Sequence, residues 1–394
     1  MFLHEQLDPN SRFRERRRRA RRRRKLRRAA AAAVLLGLGA GLALGATFIG
    51  QRGPSSSAQT VAARAERSSP AYRPVPEEIR GIHVTMGLAS LPGKLGGYMA
   101  LHAVGLNAIE LDVKDENGQV GFVSADLPRL ARQDGAARPY YDARDVARRV
   151  HAQGLYLIGR VVVFEDPTLS AARPDLAINT RSGGVWRNSG GLGWTDPYDA
   201  RVWAYDVSIA VAAARAGFDE IQFDYVRFPS DGDLSQIVYP RRRQEPKGTT
   251  ITRFLRYAGS RLHPLGARVS ADVFGLAATH DLRIGQVPRR LGRVLDSIHP
   301  MVYPSHYSAG EYGIQDPSAY PGRTVAHSLL DFRRALHAAR IPIVPWLQDF
   351  SLARPYTLIE VSDQIAAARR QHAKGFLLWN PEGVYTDDAL APAQ

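Results

Sequence analysis

The chain has 394 residues, 44% hydrophobic and 23% charged, which is a globular composition and excludes wholesale disorder or a fibrous repeat. Its formal net charge of +15 is concentrated at one end. Residues 1–28 hold twelve Arg and Lys25 against Glu5, Asp8 and Glu15, a net of +10, so the other 366 residues carry only +5 and give no reason to expect nucleic acid as a partner. Cysteine is absent, which excludes disulfides, thiolate metal sites and a cysteine nucleophile.

The basic segment 1–28 runs into an uncharged stretch of 22 residues, Ala29 to Gly50. As a helix that stretch spans roughly 33 Å, about the thickness of a bilayer hydrocarbon core. The arginines before it predict a cytoplasmic N-terminus, with the body of the protein on the outer side and the basic segment lying on anionic lipid headgroups. A cleaved signal peptide is the competing reading, which would make the body a secreted protein. The run is long for that, and the nearest clear small-x-small site, Ala63-Arg64-Ala65, lies well beyond its end. Residues 51–79, rich in Ser, Ala, Pro and Arg without apolar periodicity, read as a flexible linker.

From Arg80 to the end of the chain, short β-rich runs alternate with helical patterns. The runs are 81–86, 107–113, 155–164, 219–226, 267–274, 296–303, 341–347 and 375–380. Between them, 358–374 places Val361, Ile365 and Ala368 on one helical face, and Asp196-Pro197 predicts the start of a helix running to Gly217. Gly105, Gly154, Gly217, Gly266 and Gly375 stand where helices hand over to strands. Eight strands alternating with helices predict an α/β fold, a (β/α)₈ TIM barrel over 80–394, with a doubly wound open sheet as the alternative. Helix-to-strand links are one to three residues, whereas 114–141, 165–196, 227–247 and 304–324 are long strand-to-helix loops. Chemistry is therefore expected at the C-terminal ends of the strands.

Strand alternation selects the side chains at that end. In the fourth strand Ile221 and Phe223 share the face that packs on helices, so Gln222 and Asp224 point into the barrel. The same rule turns Glu110, Asp112, Arg160, Asp272, Tyr303, Trp346 and Gln348 inward, with Glu110 and Glu220 low enough to form a structural ion-pair layer. Asp224 and Asp272 end adjacent strands, and two carboxyls about 5 Å apart suit a nucleophile with a general acid/base. Lys114, Arg160 and Arg227 are the cations placed to balance them, and Asp349 is a third carboxylate just past strand seven. Trp186, Trp194, Trp346 and Trp379 fall in top loops or strand ends, where indole faces suit sugar rings, while Trp203 reads as core. A metal site would need scattered ligands such as His83, Asp112 and His306; no HExxH, GxSxG or P-loop is present.

The segments ELDVKDENG (110–118), RVVVFEDPTLSAARPDLAI (160–178), SGGVWRN (182–188), GWTDPYDARVW (193–203), GFDEIQFDYVRFPSDG (217–232), VSADVFG (269–275), MVYPSHY (301–307) and WNP (379–381) carry a likeness over about 300 residues. In them the chain resembles a bacterial glycoside hydrolase family of amylase-like TIM barrels. The resemblance implies a nucleophilic carboxylate ending strand four, matched by Asp224, an acid/base ending strand five, and a third carboxylate after strand seven. The chain departs from the amylase pattern in two places. Asp272 stands where glutamate is usual, and Gln222 stands where an arginine precedes the nucleophile. The expectation is a membrane-anchored glycosidase or transglycosidase of cell-envelope or extracellular polysaccharide. Asp112, Lys114, Arg160, Arg227 and Asp349 would support the two catalytic carboxyls. Trp186, Trp194, Tyr303, Trp346, Gln348, Trp379 and Asn380 would line the sugar site, with no metal or organic cofactor required. The alternatives from other classes are a non-catalytic glycan-binding barrel and a structural envelope protein.

Overall fold

Largely apolar runs of three to seven residues, each bounded by a turn, form eight strands in the computed structural model, which describes residues 72–242, 245–352 and 354–393. The basic segment, the apolar stretch 29–50 and residues 51–71 of the linker lie outside the described residues, whereas its predicted end, 72–79, belongs to the barrel: the Arg73 carbonyl accepts from Arg268, Glu78 pairs with Arg369, and Ile79 opens the first strand. Among the described residues no helix is long and apolar enough to cross a membrane. The strands are β1 (Ile79–Val84), β2 (Ala108–Lys114), β3 (Tyr156–Val162), β4 (Glu220–Asp224), β5 (Arg268–Phe274), β6 (Ser297–Met301), β7 (Trp346–Gln348) and β8 (Gly375–Trp379). They close in the order β1-β8-β7-β6-β5-β4-β3-β2, with every neighbouring pair parallel. The predicted TIM barrel is therefore present, and an open sheet is excluded because β1 pairs on both edges, with β2 and with β8.

Six longer helices surround the strands: α1 (Lys94–Ala100), α2 (Ala143–Ala152), α3 (Ala200–Ala216), α4 (Lys247–Leu262), α5 (Pro321–Leu336) and α6 (Leu358–Arg370). The outward face of β4 shows how they are held. Phe223 meets Phe254 of α4 edge to face at 5.3 Å, and Phe254 in turn meets Phe164 and Trp203. Each such ring contributes about 1.5–3 kcal/mol by leaving water. Trp203 is core, as its helical position predicts, and its indole donates to the Pro197 carbonyl at 2.8 Å.

Two local expectations are corrected. The N-cap of α3 is Asp199, whose carboxylate accepts from the Arg201 amide; Asp196 makes its own turn one step earlier by accepting from the Tyr198 amide. Strand seven begins five residues later than its β-rich run because Pro342 and Pro345 cannot donate to a ladder. Only Ile343 still bridges to Ile298 of β6. The strand-to-helix loops after β3 and β4 are tied together by a two-stranded ribbon, Asn179–Thr180 with Ile237–Val238.

Candidate active site

The centre of the barrel is polar because inward positions on β2, β3, β4 and β5 are charged. At the lower level, Glu220 accepts from the Tyr156 hydroxyl at 3.1 Å and Ser297 at 3.2 Å, and lies 3.3 Å from His299. Burial would raise its pKa, but these partners prevail and hold the carboxyl below its usual range. Glu220 is thus a satisfied structural residue, as its low position predicts.

Arg160 stands in register with Gln222 on one side and Asp112 on the other. Its fork divides between two carboxylates. Nε and Nη2 donate to Asp224 Oδ2 at 3.0 and 2.6 Å, and Nη1 donates to Asp112 Oδ1 at 2.7 Å. The arginine that the amylase pattern would put at position 222 is therefore supplied from the neighbouring strand. The other oxygen of Asp224 accepts from the Tyr225 amide at 2.7 Å. Tyr225 pays for that contact with a left-handed backbone, φ 51°, a conformation that non-glycine residues hold only when their surroundings force it. Glu116, in the loop after β2, adds a partly exposed carboxylate 3.8 Å from Arg160. Neither Tyr225 nor Glu116 was singled out from the sequence, since loop carboxylates and backbone strain leave no periodic signal.

Asp272 has a different environment. Its Oδ1 accepts two short hydrogen bonds, from Gln222 Nε2 and Trp346 Nε1, both 2.6 Å. Among the described residues no cation lies within salt-bridge distance of it. Burial, with the charges of Asp224 and Glu110 nearby, pushes its carboxyl well above the usual range. Both donors fall on Oδ1, which leaves Oδ2 as the oxygen free to carry a proton. Gln286 clips the end of β5 by donating to the Asp272 carbonyl and accepting from the Phe274 amide. Two neighbouring strands thus end in carboxyls of opposite disposition: Asp224 paired with a guanidinium, Asp272 buried and pushed toward its neutral form.

Around this pair, Tyr303 is buried near enough that, after burial itself, Asp272 and Asp224 are the main charges raising its pKa. Trp379 is half-buried, stacked on His83 at 4.4 Å and lying 5.8 Å from the Arg160 guanidinium. Trp346 meets it edge-on at 5.8 Å. His83 pairs with Glu110, whose carboxyl burial pushes up to about 8.

Several predicted site residues sit elsewhere. Lys114 should share the inward face of Asp112, but the β2–β3 register shifts between residues 112 and 114. The bulge takes the ammonium away from the pair, to Asp166 at 2.7 Å and Asp206 at 2.6 Å. Arg227 touches neither Asp224 nor Asp272. Its guanidinium lies about 5 Å from the rings of Trp194, Tyr225 and Phe274 and donates to Ser230. Asp349 has both oxygens taken by Thr386, and Asn380 braces the same turn through the Asp349 carbonyl. Gln348 is fully buried, holding the Ser305 amide and the Phe350 carbonyl. Trp186 and Trp194 are buried under the joined loops rather than open to a sugar, and the Trp186 indole donates to the Asp233 carbonyl.

The raised carboxyls make stability fall with pH. Glu110 is protonated in both states below its ordinary value of 4.5. Above that, the unfolded chain releases a proton that the folded barrel retains until about pH 8, so folding loses free energy across that window. Asp112, pushed up to about 6 chiefly by burial, acts in the same direction. The expected result is a melting temperature that declines from pH 4.5 to 8, with a shallower decline in Glu110→Gln; calorimetry across that range checks it.

Comparison with known proteins places the barrel. Residues 81–385 match the model of a family described as "Putative glycosyl hydrolase domain". No curated protein matches the chain. Among solved structures, it resembles a hypothetical protein from Ruminiclostridium thermocellum at 36% identity, over 49% of this chain and 97% of that one, with a TM-score of 0.45. The glycoside hydrolase domain of PgaB (BpsB) from Bordetella bronchiseptica is 13% identical over 80% of this chain and 100% of that one, TM-score 0.57. The catalytic domain of β-amylase from Paenibacillus polymyxa is 12% identical over 81% and 96%, TM-score 0.50. At such identities the last two establish a shared fold.

Proposed function

The chain belongs to the glycosyl hydrolase family whose model spans residues 81–385, and on that premise we propose that Asp224 and Asp272 carry out a retaining hydrolysis. The observation behind this is the contrast just described: adjacent strand ends, one carboxylate paired with Arg160 and one carboxyl buried away from cations, which raises it toward its neutral form. Asp224 attacks the anomeric carbon as Asp272 gives its proton to the departing glycosidic oxygen, which leaves a glycosyl ester on Asp224 and an ionised Asp272. Asp272 then takes a proton from water, the hydroxide oxygen bonds to the anomeric carbon, and the ester bond breaks to restore both residues. Asp112 orients Arg160, Arg160 orients Asp224, and Trp346 and Gln222 hold Asp272. Trp379, half-buried, offers aromatic surface to the sugar, with Tyr303 packed beneath the pair.

The basic segment 1–28 followed by the uncharged run 29–50 supports a reading in which the barrel lies outside the cytoplasmic membrane, tethered by residues 29–50 and spaced from it by residues 51–71. The substrate class that fits is therefore a cell-envelope or extracellular polysaccharide. The test is incubation of the detergent-solubilised chain with defined polysaccharides, reading the first-formed anomer by NMR. Release of product with the substrate's anomeric configuration is expected. An inverted anomer overturns the two-step chemistry, and glycan affinity without turnover favours a binding barrel instead.

A further inference from the structure

The opposite end of the barrel, where strands begin, carries a feature that hydrolysis does not use. A pocket of about 560 Å³ opens there, walled by Arg333, Arg334, His337, Arg340, His372 and Lys374, with no Asp or Glu in its lining. Its floor is apolar, including Leu336 and Ile343, both buried. Part of this charge has an ordinary origin. Arg333 and Arg334 occupy the last turn of α5, where cations complement the negative end of a helix, and they bond Gln371 and Asp331.

Arg340 and His372 have no such account. They stand in the turns into β7 and β8, and each has a φ of 55°. The equivalent turns into β2, β3, β4 and β5 use Gly105, Gly154, Gly217 and Gly266, which adopt positive φ without steric cost. At two neighbouring turns the sequence thus keeps a long basic or imidazole side chain in a backbone conformation suited to glycine. Both side chains line the same pocket.

This face is also where the chain enters the barrel. The Tyr72 hydroxyl reaches the His263 carbonyl at 3.4 Å, and Arg268 donates to the Arg73 carbonyl at 2.8 Å. Glu78 then pairs with Arg369 at 2.6 Å, and the Ile79 amide donates to the Lys374 carbonyl at 2.9 Å beside the pocket. Residues 72–78 therefore run along the strand-start end, and the apolar stretch 29–50 lies 22 residues before Tyr72.

We propose that this pocket docks the phosphate headgroup of an anionic phospholipid in the leaflet to which residues 29–50 tether the barrel. A cationic wall over an apolar floor matches a phosphate attached to an acyl glycerol, and docking it turns the catalytic mouth away from the membrane, toward polymer. The proposal rests on the tethered placement given under Proposed function, and it is independent of the hydrolytic chemistry.

The test uses the full chain in nanodiscs of phosphatidylcholine alone or with phosphatidylglycerol, reading amide hydrogen exchange at 333–343 and 371–375. Exchange there is expected to be about tenfold slower with phosphatidylglycerol, and the difference should vanish near ~1 M salt, where the Debye length is about 3 Å. The double variant Arg340→Gly/His372→Gly relieves the backbone while removing both side chains. It should melt close to the parent chain, hydrolyse substrate as before, and lose the lipid-dependent protection. Equal exchange in the two discs overturns the proposal, as does protection that survives in the variant. Equal protection by free glycerol phosphate in phosphatidylcholine discs also overturns it, by making the ligand a soluble anion. A chain that does not remain with the disc overturns the tether, and this docking site with it, whereas absent hydrolysis with intact protection overturns only the chemistry.

Discussion

Asp224→Asn is expected to lower kcat by about 10⁴-fold or more, some 5–6 kcal/mol of transition-state stabilisation, while leaving glycan affinity within a few-fold. The amide has one oxygen where the carboxylate has two, so it keeps the Arg160 contact and loses the one from the Tyr225 amide; some stability goes with it, but the barrel should still fold, with a circular dichroism spectrum like the parent's. What disappears is the negative charge and the lone pair that form the glycosyl ester. Azide gives a second reading of the same variant. A small anion entering the space beside residue 224 attacks the anomeric carbon from the nucleophile's side, producing a glycosyl azide of inverted configuration. In Asp272→Asn the ester still forms, and azide displaces it to give the retained configuration. Opposite anomers from the two variants assign the two roles without reference to rate. Turnover in Asp224→Asn equal to that of the parent chain would remove Asp224 from the reaction.

The parts of this molecule governed by period were legible in the sequence. Alternation of apolar and polar residues in DEIQFDYV fixed which face of β4 meets α4 and which meets the barrel axis, and Phe223 on Phe254 bears out the first. The same alternation brought Asp112, Arg160, Asp224 and Asp272 to one interior, because it depends only on the pleat. It failed where the pleat is broken. A single register shift after Asp112 sends Lys114 outward to Asp166 and Asp206, and no residue type in LDVK announces it. Loop aromatics were misread for another reason. An indole in a glycine-rich loop can face solvent or be covered by a second loop, and the Asn179–Thr180 ribbon that covers Trp186 pairs segments nearly sixty residues apart. Asp349 by position reads as a supporting carboxylate, and Gln348 and Asn380 as sugar-site residues, but each is consumed by backbone groups of irregular loops that would otherwise be left unsatisfied.

The same account makes Arg160 the residue whose loss should harm both fold and chemistry. It is buried, and its fork is the only guanidinium within salt-bridge distance of Asp112 and Asp224 among the described residues. Arg160→Met keeps much of the volume but strands two carboxylates in the barrel. Breaking a buried pair of this kind costs about 3–5 kcal/mol, because the uncompensated charge remains. Near neutral pH, denaturant melts should show a loss of that size, and hydrolysis should fall with it. The deficit has a definite pH dependence. Burial already raises the Asp112 carboxyl, and removing the guanidinium that lowers it pushes it further up, so the penalty operates above its ordinary value of 3.8 and fades as pH falls toward it. The parent and Arg160→Met curves should therefore converge in acid. Combining Arg160→Met with Asp112→Asn removes one stranded charge and should recover stability without recovering activity, since Asp224 is still unoriented. Arg160→Lys separates charge from geometry: one ammonium cannot span both carboxylates as the fork does, so it should restore more stability than turnover. A variant lacking Arg160 that melts within about 1 kcal/mol of the parent at neutral pH would mean that water or a rearranged neighbour already neutralises the pair. The ionised state of Asp224, on which the proposed attack depends, would then need another source.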